Sequence, residues 1–434
     1  MPEVAEVAHA CALLRRNVVG LTVRRAVLPL DNLLFPILKT AENPAAVIHQ
    51  TENHLVGATV QSLGRHGKYF WLRFRTALGA PLVMLMHFGM TGRIRMRDVH
   101  SHMIFMENGG DRKVLEAKNS HIAGGDIEQE KDTEKAADSE SLPEVWPPRF
   151  TKFELFFSGP SSAPGRSIDL AFLDPRRLAR VRFLMGEEYS TDNKLLLMPP
   201  LRALGPDYSK QGTERSTLDG EPLPDSLADF SGDPDPNHHG RPRLSPEEFA
   251  PLVLLKKKPI KAFLLDQEFF AGIGNWVSDE ILYHARIHPS EVISRKISSP
   301  EHPVLRRLYD AIVFVMEESV RVEGNARLFP EDWLMLHRWG KGRKEPRAVT
   351  TAGYTVDFLT VGGRTSCFIP ELQKPLKTED GSEMARDVKP KKDILLDKTP
   401  TPSPKSTRRS KAVEIAKIKE EENVGVKRRR RDGH

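Results

Sequence analysis

The first residues of the chain, Met1-Pro2-Glu3-Val4-Ala5-Glu6, combine an amine and two carboxyl groups that could do covalent chemistry. Proline is small enough for removal of the initiator methionine to be expected, which would leave a free secondary amine at Pro2. An α-amino group titrates near pH ~8, so an appreciable fraction is neutral and nucleophilic in neutral solution. Such an amine could attack an aldehyde-level carbon and form an iminium, with Glu3 as the candidate proton donor.

A helix must position these groups, and the sequence predicts one that ends near Gly20. Apolar residues recur at helical spacing, at Val4, Val7, Ala8, Cys11 and Leu14. Glu6 then lies on the same face as Glu3, and Pro2 suits the first turn. Proline followed by glutamate is also ordinary chemistry for the start of a helix. The amino terminus alone therefore leaves a catalytic and a purely structural role open.

Composition limits the class of protein. The 434 residues can hold two or three domains, and no apolar run is long enough to span a bilayer. No charged and then apolar leader precedes the helix, so we expect neither secretion nor membrane association. The two cysteines, Cys11 and Cys367, exclude a four-thiolate zinc site and a disulfide framework. The net charge of +6 is weak support for a nucleic-acid partner.

Two stretches look like solvated insertions. Residues at about 110–147 are rich in acids, and residues 207–243 add further acids among proline, glycine and serine. Without them the folded body is more basic than the total charge suggests. Beyond Glu371 the chain becomes rich in Lys, Arg, Glu and Pro, which predicts a disordered tail.

The rest of the first 200 residues reads as one helix and many strands. Alternating or apolar runs predict strands at Leu21–Leu28, Ala58–Leu63, Lys68 onward, Pro81–His87, Phe150–Phe157 and Ser167–Leu173. This pattern favours a β-sandwich.

Helical character follows the second insertion. Ser245 as a cap, Pro246 after it and acids in the first turn mark a helix start. Near the end, the paired glycines Gly362 and Gly363 separate two alternating runs and predict a hairpin.

One helix start in this region also carries groups that could contact phosphate. Lys256, Lys257 and Lys258 precede the run Gly272-Ile273-Gly274-Asn275, which opens a helix. Glycines let a backbone approach a phosphate closely, and Asn275 at a helix start adds amide donors. A plain connector between helices would explain the same residues, although the neighbouring lysines favour phosphate contact.

Four motifs together carry a family resemblance. They are MPEVAEV at the start, HFGMTG (His87–Gly92), DPRR (Asp174–Arg177) and KKKPIKAFLLDQEFFAGIGNWVSDEILYHARIHP (Lys256–Pro289). The chain resembles the formamidopyrimidine-DNA glycosylase family, which repairs oxidised bases, everywhere except in the two insertions and the tail. The last motif looks like the family's helix–two-turn–helix element. The stretch GGRTSCFIPELQK (Gly362–Lys374) resembles the zincless finger of plant and fungal members, whereas many bacterial relatives hold this finger with four cysteines around zinc. The resemblance thus implies neither zinc nor another cofactor.

The implied fold is an α+β multidomain protein with an N-terminal β-sandwich and leading helix, a helical helix–two-turn–helix domain and a C-terminal β-hairpin. We predict an N-terminal catalytic β-sandwich domain at 1–206, including the acidic insertion, a disordered linker insertion at 207–243, a helix–two-turn–helix DNA-binding domain at 244–346, the zincless-finger hairpin at 347–374 and a disordered basic tail at 375–434.

The resemblance also implies roles for individual residues. Pro2 matches the nucleophile that attacks C1′ of the damaged nucleotide, and Glu3 matches the acid that assists opening of the sugar ring. Glu6 is similar to a second acid that shapes the pocket, although pairing with a nearby cation explains it equally well. The residues that match the family's phosphate-gripping trio are Lys68, Asn275 and Arg364. Without the motifs, Lys68 and Arg364 would be ordinary exposed charges.

Three further residues match those that fill the space left by an everted base. They are Met90, Arg176 and Leu178. Phenylalanine is common at the place of Leu178, so the preference for the opposite base is open. The loop that contacts the everted base in many bacterial members should follow Val322, but Gly324–Pro346 looks more like the plant and fungal version, which leaves the preferred lesion open.

We therefore expect a bifunctional DNA glycosylase and abasic-site lyase. It would excise oxidised purines from double-stranded DNA through a Pro2 Schiff base and β,δ-elimination, with formamidopyrimidines as the expected substrates and 8-oxoguanine as a further candidate. The alternatives are an endonuclease-eight-like glycosylase that prefers oxidised pyrimidines, and a DNA-binding protein without chemistry. We expect a monomer in the nucleus, because basic runs at Lys405–Lys411 and Lys427–Arg431 suit nuclear import. A solubilising or DNA-tethering tail is the alternative for those runs.

Overall fold

The computed structural model describes residues 2–103, 145–159, 165–210, 240–340 and 348–377. The centres of both predicted insertions and nearly all of the predicted tail lie outside this range. Within it, no helix combines the length and the apolar character that a membrane crossing requires.

The predicted leading helix is confirmed as α1, Val4–Val18. It is buried on two sides because it separates two hydrophobic cores. Val4, Ala5 and Ala8 pack with the helical part of the chain. Val7 and Leu14, among others, pack with the sheet. The apolar pattern of α1 is therefore wide, and the residues that begin the chain lie at the junction of the two parts.

Eight antiparallel strands form the N-terminal sheet. In chain order they are β1 Thr22–Val27, β2 Thr59–His66, β3 Tyr69–Arg75, β4 Pro81–His87, β5 Arg93–Met96, β6 Thr151–Ser158, β7 Ser167–Leu173 and β8 Arg180–Leu184. They are hydrogen-bonded in the order β5-β7-β6-β1-β2-β3-β4-β8. The register pairs Tyr69 with His87 in β3 and β4 and His87 with Arg180 in β4 and β8. The HFGMTG motif, which leaves β4, and the DPRR motif, which precedes β8, therefore lie at the same end of these two neighbouring strands.

The sheet folds over its own core, so its two halves face each other as in the predicted sandwich. The ring centre of Phe88 lies 4.7 Å from that of Phe70 and 5.7 Å from that of Phe172. In a flat sheet, the three strands between β3 and β7 would hold Phe70 and Phe172 about 19 Å apart. Contact of both rings with Phe88 therefore requires the sheet to curl around a shared core.

The prediction of a single helix in the first 200 residues is wrong. A second helix, α2, spans Pro44–Leu55, and a short one, α3, spans Asp192–Leu196. Only Ile48 and Leu55 of α2 are buried, so its apolar pattern is weak. The start of α2 could have been recognised from Asn43 followed by Pro44, which is a common helix start. The Asn43 side chain accepts from the backbone N–H of Ala46. Strands β5 and β8 were also not predicted.

The helical part contains α4 Pro246–Leu254, α5 Ile260–Leu264, α6 Asn275–His284 and α7 Pro303–Arg321. The predicted start at Ser245 is confirmed: its hydroxyl accepts from the N–H of Glu248, whose carboxylate accepts from the N–H of Ser245. Helices α5 and α6 flank two turns, which is the helix–two-turn–helix arrangement.

The predicted linker does not begin at residue 207, because residues 207–210 are buried. Asp207 accepts from the Arg65 guanidinium at 2.7 Å, and both side chains are fully enclosed. The Tyr208 ring packs against those of Phe249 and Phe270. At the other end, Arg241 donates to the backbone of the 196–204 segment. The predicted linker at 207–243 therefore includes residues at both ends that belong to the folded part. Residues 211–239 lie outside the described range.

The predicted hairpin is confirmed as β9 Asp357–Val361 and β10 Arg364–Phe368. Gly362 and Gly363 have φ of +56° and +74°, a conformation that glycine adopts without strain. Thr360 and Val361, which directly precede the glycines, belong to β9, since Arg364 pairs with Val361. The mixed α+β class, with a sheet, a helical part and a hairpin, is as predicted.

Candidate active site

A cavity of about 940 Å³ lies where α1, the sheet, the helical part and the hairpin meet. One face of α1 supplies Glu3, Glu6 and His9, at the three-residue spacing of neighbours on a helix surface. The residues predicted for the site that line the cavity are Pro2, Glu3, Glu6, Met90, Arg176, Asn275 and Arg364. These residues come from five stretches that are far apart in sequence, so the fold brings the predicted groups together.

Glu3 is fixed by the start of helix α6. Its side chain is 2% exposed, and its two carboxylate oxygens accept from the backbone N–H groups of Trp276 and Val277, each at 3.1 Å. These N–H groups have no partner within the helix and carry its positive end, so they favour a carboxylate. Gly274 makes this approach possible, because a Cβ there would lie 2.1 Å from Cδ of Glu3.

Backbone contacts hold the amino terminus against two other loops. The N–H of Val4 donates to the carbonyl of Gly272 at 3.2 Å. Gly67, in the turn between β2 and β3, has φ of +57°, and a Cβ on it would lie 2.8 Å from the Gly272 nitrogen. The start of α1, the β2–β3 turn and the loop before α6 therefore meet at backbone distance. Pro2, two residues before Val4, lines the cavity.

Lys68 reaches the same junction from β3. Its ammonium donates to the carbonyl of Ile273 at 2.9 Å. Burial lowers the pKa of Lys68, and the charge of Arg364 acts in the same direction, whereas Glu3 and Glu6 oppose it. Lys68 is thus held to the loop that precedes Asn275, but it is not among the residues that line the cavity.

Glu6 shares its carboxylate between the amino terminus and α6. One oxygen accepts from the N–H of Glu3 at 2.8 Å and the other from the indole N–H of Trp276 at 3.2 Å. Burial, reinforced by the negative charge of Glu3, raises the pKa of Glu6 to about 7. Glu6 can therefore hold or release a proton in neutral solution.

Asn275 connects α6 to the hairpin. Its side-chain amide donates to the carbonyl of Thr365 at 3.1 Å, next to Arg364. Arg364 is exposed and lines the cavity, so its guanidinium is open to an anion from solution. The sequence predicted that the Asn275 amide contacts phosphate. In the structure, one of its N–H groups instead helps to position the hairpin.

The HFGMTG and DPRR loops are built as one unit. The hydroxyl of Thr91 donates to the buried carboxylate of Asp174 at 2.8 Å, and the same carboxylate accepts from the N–H groups of Arg176 and Ala179. Gly89 has φ of +65°, and a Cβ on it would lie 2.4 Å from the backbone of Leu178.

The contacts between the HFGMTG and DPRR loops hold the three predicted void-filling residues on one pair of loops. Met90 and Arg176 line the cavity, whereas Leu178 is 40% exposed and is not among the lining residues.

Met335 and Arg338 are among the cavity-lining residues that were missed from the sequence. Both come from a 3₁₀ segment, Leu334–Gly340. The Glu280 carboxylate accepts from the N–H groups of Leu334 and Met335 at 3.0 and 2.6 Å. Asp279 accepts from Arg338 at 2.8 Å. The adjacent acids Asp279 and Glu280 within an apolar helix could have indicated such a contact, because buried acids need hydrogen-bonding partners.

The lysine cluster is not brought to the cavity. Lys256 lies 3.8 Å from the centre of the Phe269 ring, and Lys258 donates to Asp266 at 2.6 Å, while Lys257 is exposed. Phosphate contact by these lysines stays a prediction for the surface outside the cavity. Beyond Glu6, the face of α1 continues to His9, which with His102 and Glu323 forms a group of side chains that could hold a metal ion.

Comparisons with known proteins agree with this architecture. Two protein-family models match: the formamidopyrimidine-DNA glycosylase N-terminal domain over residues 1–181 and the formamidopyrimidine-DNA glycosylase H2TH domain over residues 233–329. A formamidopyrimidine-DNA glycosylase of Arabidopsis thaliana is 29% identical over 399 residues, which cover 91% of this chain and 77% of that protein. One from Rhodopseudomonas palustris is 25% identical over 383 residues, covering 86% of this chain and all of that protein.

The fold also matches solved structures. The Lactococcus lactis enzyme bound to DNA with an abasic site superposes with a TM-score of 0.52 at 18% identity, over 86% of this chain and 99% of that chain. A MutM complex with DNA containing carbocyclic 8-oxoguanine gives the same TM-score at 17% identity, over 86% of this chain and 100% of that chain. The chain belongs to the formamidopyrimidine-DNA glycosylase family.

Proposed function

We propose that the protein is a bifunctional DNA glycosylase and abasic-site lyase that excises oxidised purines from duplex DNA. Formamidopyrimidines are the leading substrates and 8-oxoguanine is a further candidate. The observation that carries the proposal is that Pro2 lines one cavity with Glu3, Glu6 and Arg364. An amine, two acids and a cation at one cavity suit attack on a sugar carbon next to phosphates.

In the proposed reaction, the Pro2 nitrogen attacks C1′ of an everted nucleotide, and the bond from C1′ to the base breaks with its electron pair going to the base. The proton that the amine loses passes to the departing base. A proton from Glu3 to the ring oxygen opens the sugar and leaves an iminium between Pro2 and C1′. Loss of a C2′ proton expels the 3′ phosphate, and a second elimination expels the 5′ phosphate. Water then hydrolyses the iminium and releases the amine. The amine supplies the electrophilic intermediate, so we propose that the chemistry requires no cofactor.

Each acid has a position suited to its proposed task. Glu3 is held on two N–H groups, so its carboxylate cannot swing away between steps. Glu6 lies one helical turn further and has a pKa raised to about 7 by burial, which suits a group that stores a proton near Glu3.

The DNA-holding roles follow the same geometry. Lys68, Asn275 and Arg364 lie around the loop before α6, where we propose that they hold the phosphates beside the lesion. Extruding a nucleotide costs a few kcal/mol, and an apolar wedge with an arginine offsets this cost by filling the gap. Met90, Leu178 and Arg176 supply these groups on one rigid loop pair. The proposed partner is double-stranded DNA that carries an oxidised base or an abasic site.

Borohydride trapping on abasic-site DNA tests the proposal. A protein with a free Pro2 should form a stable covalent complex, because reduction converts the iminium to an amine. An amino-terminal tag turns the Pro2 amine into an amide and should abolish trapping, whereas the same tag at the carboxyl terminus should not. Absence of a complex with free Pro2, or a complex with the amino-terminally tagged protein, would overturn the lyase assignment.

A panel of duplexes with different lesions separates the remaining alternatives. Faster excision of oxidised pyrimidines than of formamidopyrimidines would favour the endonuclease-eight-like alternative, and tight binding without any cleavage would favour a binding protein. We further propose that the protein acts as a monomer in the nucleus, which gel filtration on DNA-free protein and imaging with and without residues 405–431 would test.

A further inference from the structure

Three side chains from distant parts of the chain, those of His9, His102 and Glu323, meet outside the reacting groups, and His9 among them lines the cavity. His9 lies on α1 one turn beyond Glu6, His102 follows β5, and Glu323 comes just after α7. One ligand atom from each lies within 4.8 Å of the other two, and the two imidazole centres are 4.0 Å apart. His9 is 4% exposed, whereas His102 and Glu323 are partly exposed.

Outer hydrogen bonds leave the histidines ready to bind a metal. Nε2 of His102 lies 2.9 Å from the carbonyl oxygen of Glu323. A carbonyl only accepts, so Nε2 carries the proton and the lone pair of the neutral ring is on Nδ1. Nε2 of His9 lies 2.8 Å from the hydroxyl of Ser101. Histidines that bind metals usually have the second ring nitrogen bonded to a carbonyl or another polar group in this way.

The distance between the His9 and Glu323 side chains is too long for a direct hydrogen bond and suits two ligands of one metal ion. Nδ1 of His9 is 3.9 Å from Oε2 of Glu323, and within the described residues this buried nitrogen has no hydrogen-bond partner. Two ligands of a tetrahedral zinc, each at about 2.0–2.1 Å, lie about 3.3 Å apart. Small rotations of the partly exposed His102 and Glu323 side chains would bring the three groups to this spacing.

Arg16 also contacts Glu323 without blocking the site. Its guanidinium donates to both carboxylate oxygens, at 3.0 Å to Oε2 and more closely to Oε1. The Arg16 side chain is 58% exposed, so it can keep Oε1 while Oε2 turns to an ion. An arginine on the outer oxygen is then a supporting contact for a ligating carboxylate.

We propose that His9, His102 and Glu323 form a binding site for one divalent transition-metal ion of the zinc type, with water at the remaining position. Two imidazoles and a carboxylate are a known zinc ligand set. The ion would join α1, the segment before the first insertion and the end of α7. It would stabilise the cavity wall and take no part in the reaction, so the site is independent of the proposed function.

Zinc titration of the full-length protein, stripped with chelator, tests the site by calorimetry and thermal unfolding. We expect one zinc per chain and a higher melting temperature with zinc. His102→Ala and Glu323→Gln should each weaken zinc binding at least tenfold and remove the thermal shift. His49→Ala is the matched control, because His49 is exposed on α2, and it should bind as the wild type does. Cobalt in place of zinc should give visible absorption bands that both ligand variants lose.

Several outcomes would overturn the site. They are no zinc binding by the wild type, undiminished binding by His102→Ala, or undiminished binding by Glu323→Gln. The sequence also contains the pair His238 and His239. If binding disappears in their double alanine variant and persists in His102→Ala, the metal binds there instead. Circular dichroism of the two ligand variants without metal separates loss of a ligand from loss of folding.

Discussion

The substitution Gly274→Ala tests the placement of Glu3 without replacing any reacting group. The backbone at Gly274 has φ of −123° and ψ of −158°, which alanine adopts without strain. The added Cβ would lie 2.1 Å from Cδ of Glu3 and 2.4 Å from its Oε1. Relief of this overlap requires the carboxylate to move by more than 1 Å, because ordinary contacts begin near 3.4 Å.

This movement should break the hydrogen bonds from Trp276 and Val277, both 3.1 Å long at present. A misplacement of about 1 Å costs roughly 10²-fold in rate when a catalytic group must be oriented. We therefore expect Gly274→Ala to lower the single-turnover rate of borohydride trapping about 100-fold. Overpacking should also cost about 1–3 kcal/mol of unfolding free energy.

Gly79→Ala is the control for the loss of stability. Gly79 lies in the turn between β3 and β4 with φ of +82° and no atom within 4 Å of an added Cβ. The left-handed conformation should cost alanine about 1 kcal/mol without moving Glu3. Both variants should lose stability in urea unfolding, but only Gly274→Ala should lose activity. A wild-type trapping rate in a folded Gly274→Ala variant would refute the role of the Glu3 position.

Three further predictions concern Glu6, Arg364 and Thr91. Because the pKa of Glu6 rises from 4.5 to about 7 on folding, the native state binds the extra proton, and stability should fall as pH rises between these values. Glu6→Gln should remove this part of the pH dependence in urea unfolding at about pH 5 and about pH 8, and identical profiles for both proteins would contradict it. Arg364→Ala should lower the slope of log affinity for abasic-site DNA against log salt by about 0.9, as for one lost phosphate contact, whereas an unchanged slope would exclude that contact. Thr91→Val removes the bond to Asp174 that supports Met90, so excision of an intact lesion should fall more than cleavage of a preformed abasic site. Thr40→Val, at an exposed site, should alter neither reaction, and equal losses in the two reactions for Thr91→Val would contradict a role in base eversion.

Much of the fold could be predicted because its strands carry local signals. Pro81–His87 and Ser167–Leu173 were predicted with the bounds that β4 and β7 have. The first of these is almost fully apolar, and the second leads directly into a proline-containing motif. Helix α2 was missed because it buries little, and a weakly amphipathic surface helix has no strong period. Residues 207–210 were assigned to a linker because their partners, such as Arg65, are more than 140 positions away.

The site also contains residues that the sequence indicated and residues that only the fold reveals. Pro2, Glu3 and Asn275 lie within short motifs, so sequence alone indicated them. Glu3 is supported by N–H groups of α6 that lie more than 270 residues away in sequence. No local sequence pattern indicates a contact between such distant segments. Arg338 was missed for the same reason, because only the fold shows that Asp279 holds it at the cavity.

The central claim is that the Pro2 nitrogen forms the covalent bond to the sugar. Peptide mapping by mass spectrometry of the borohydride-trapped complex tests it most directly. The account predicts a protein without its initiator methionine and with the reduced sugar remnant on the nitrogen of Pro2. A remnant on Lys68 or another lysine, or an intact Met1 on the trapped protein, would contradict it.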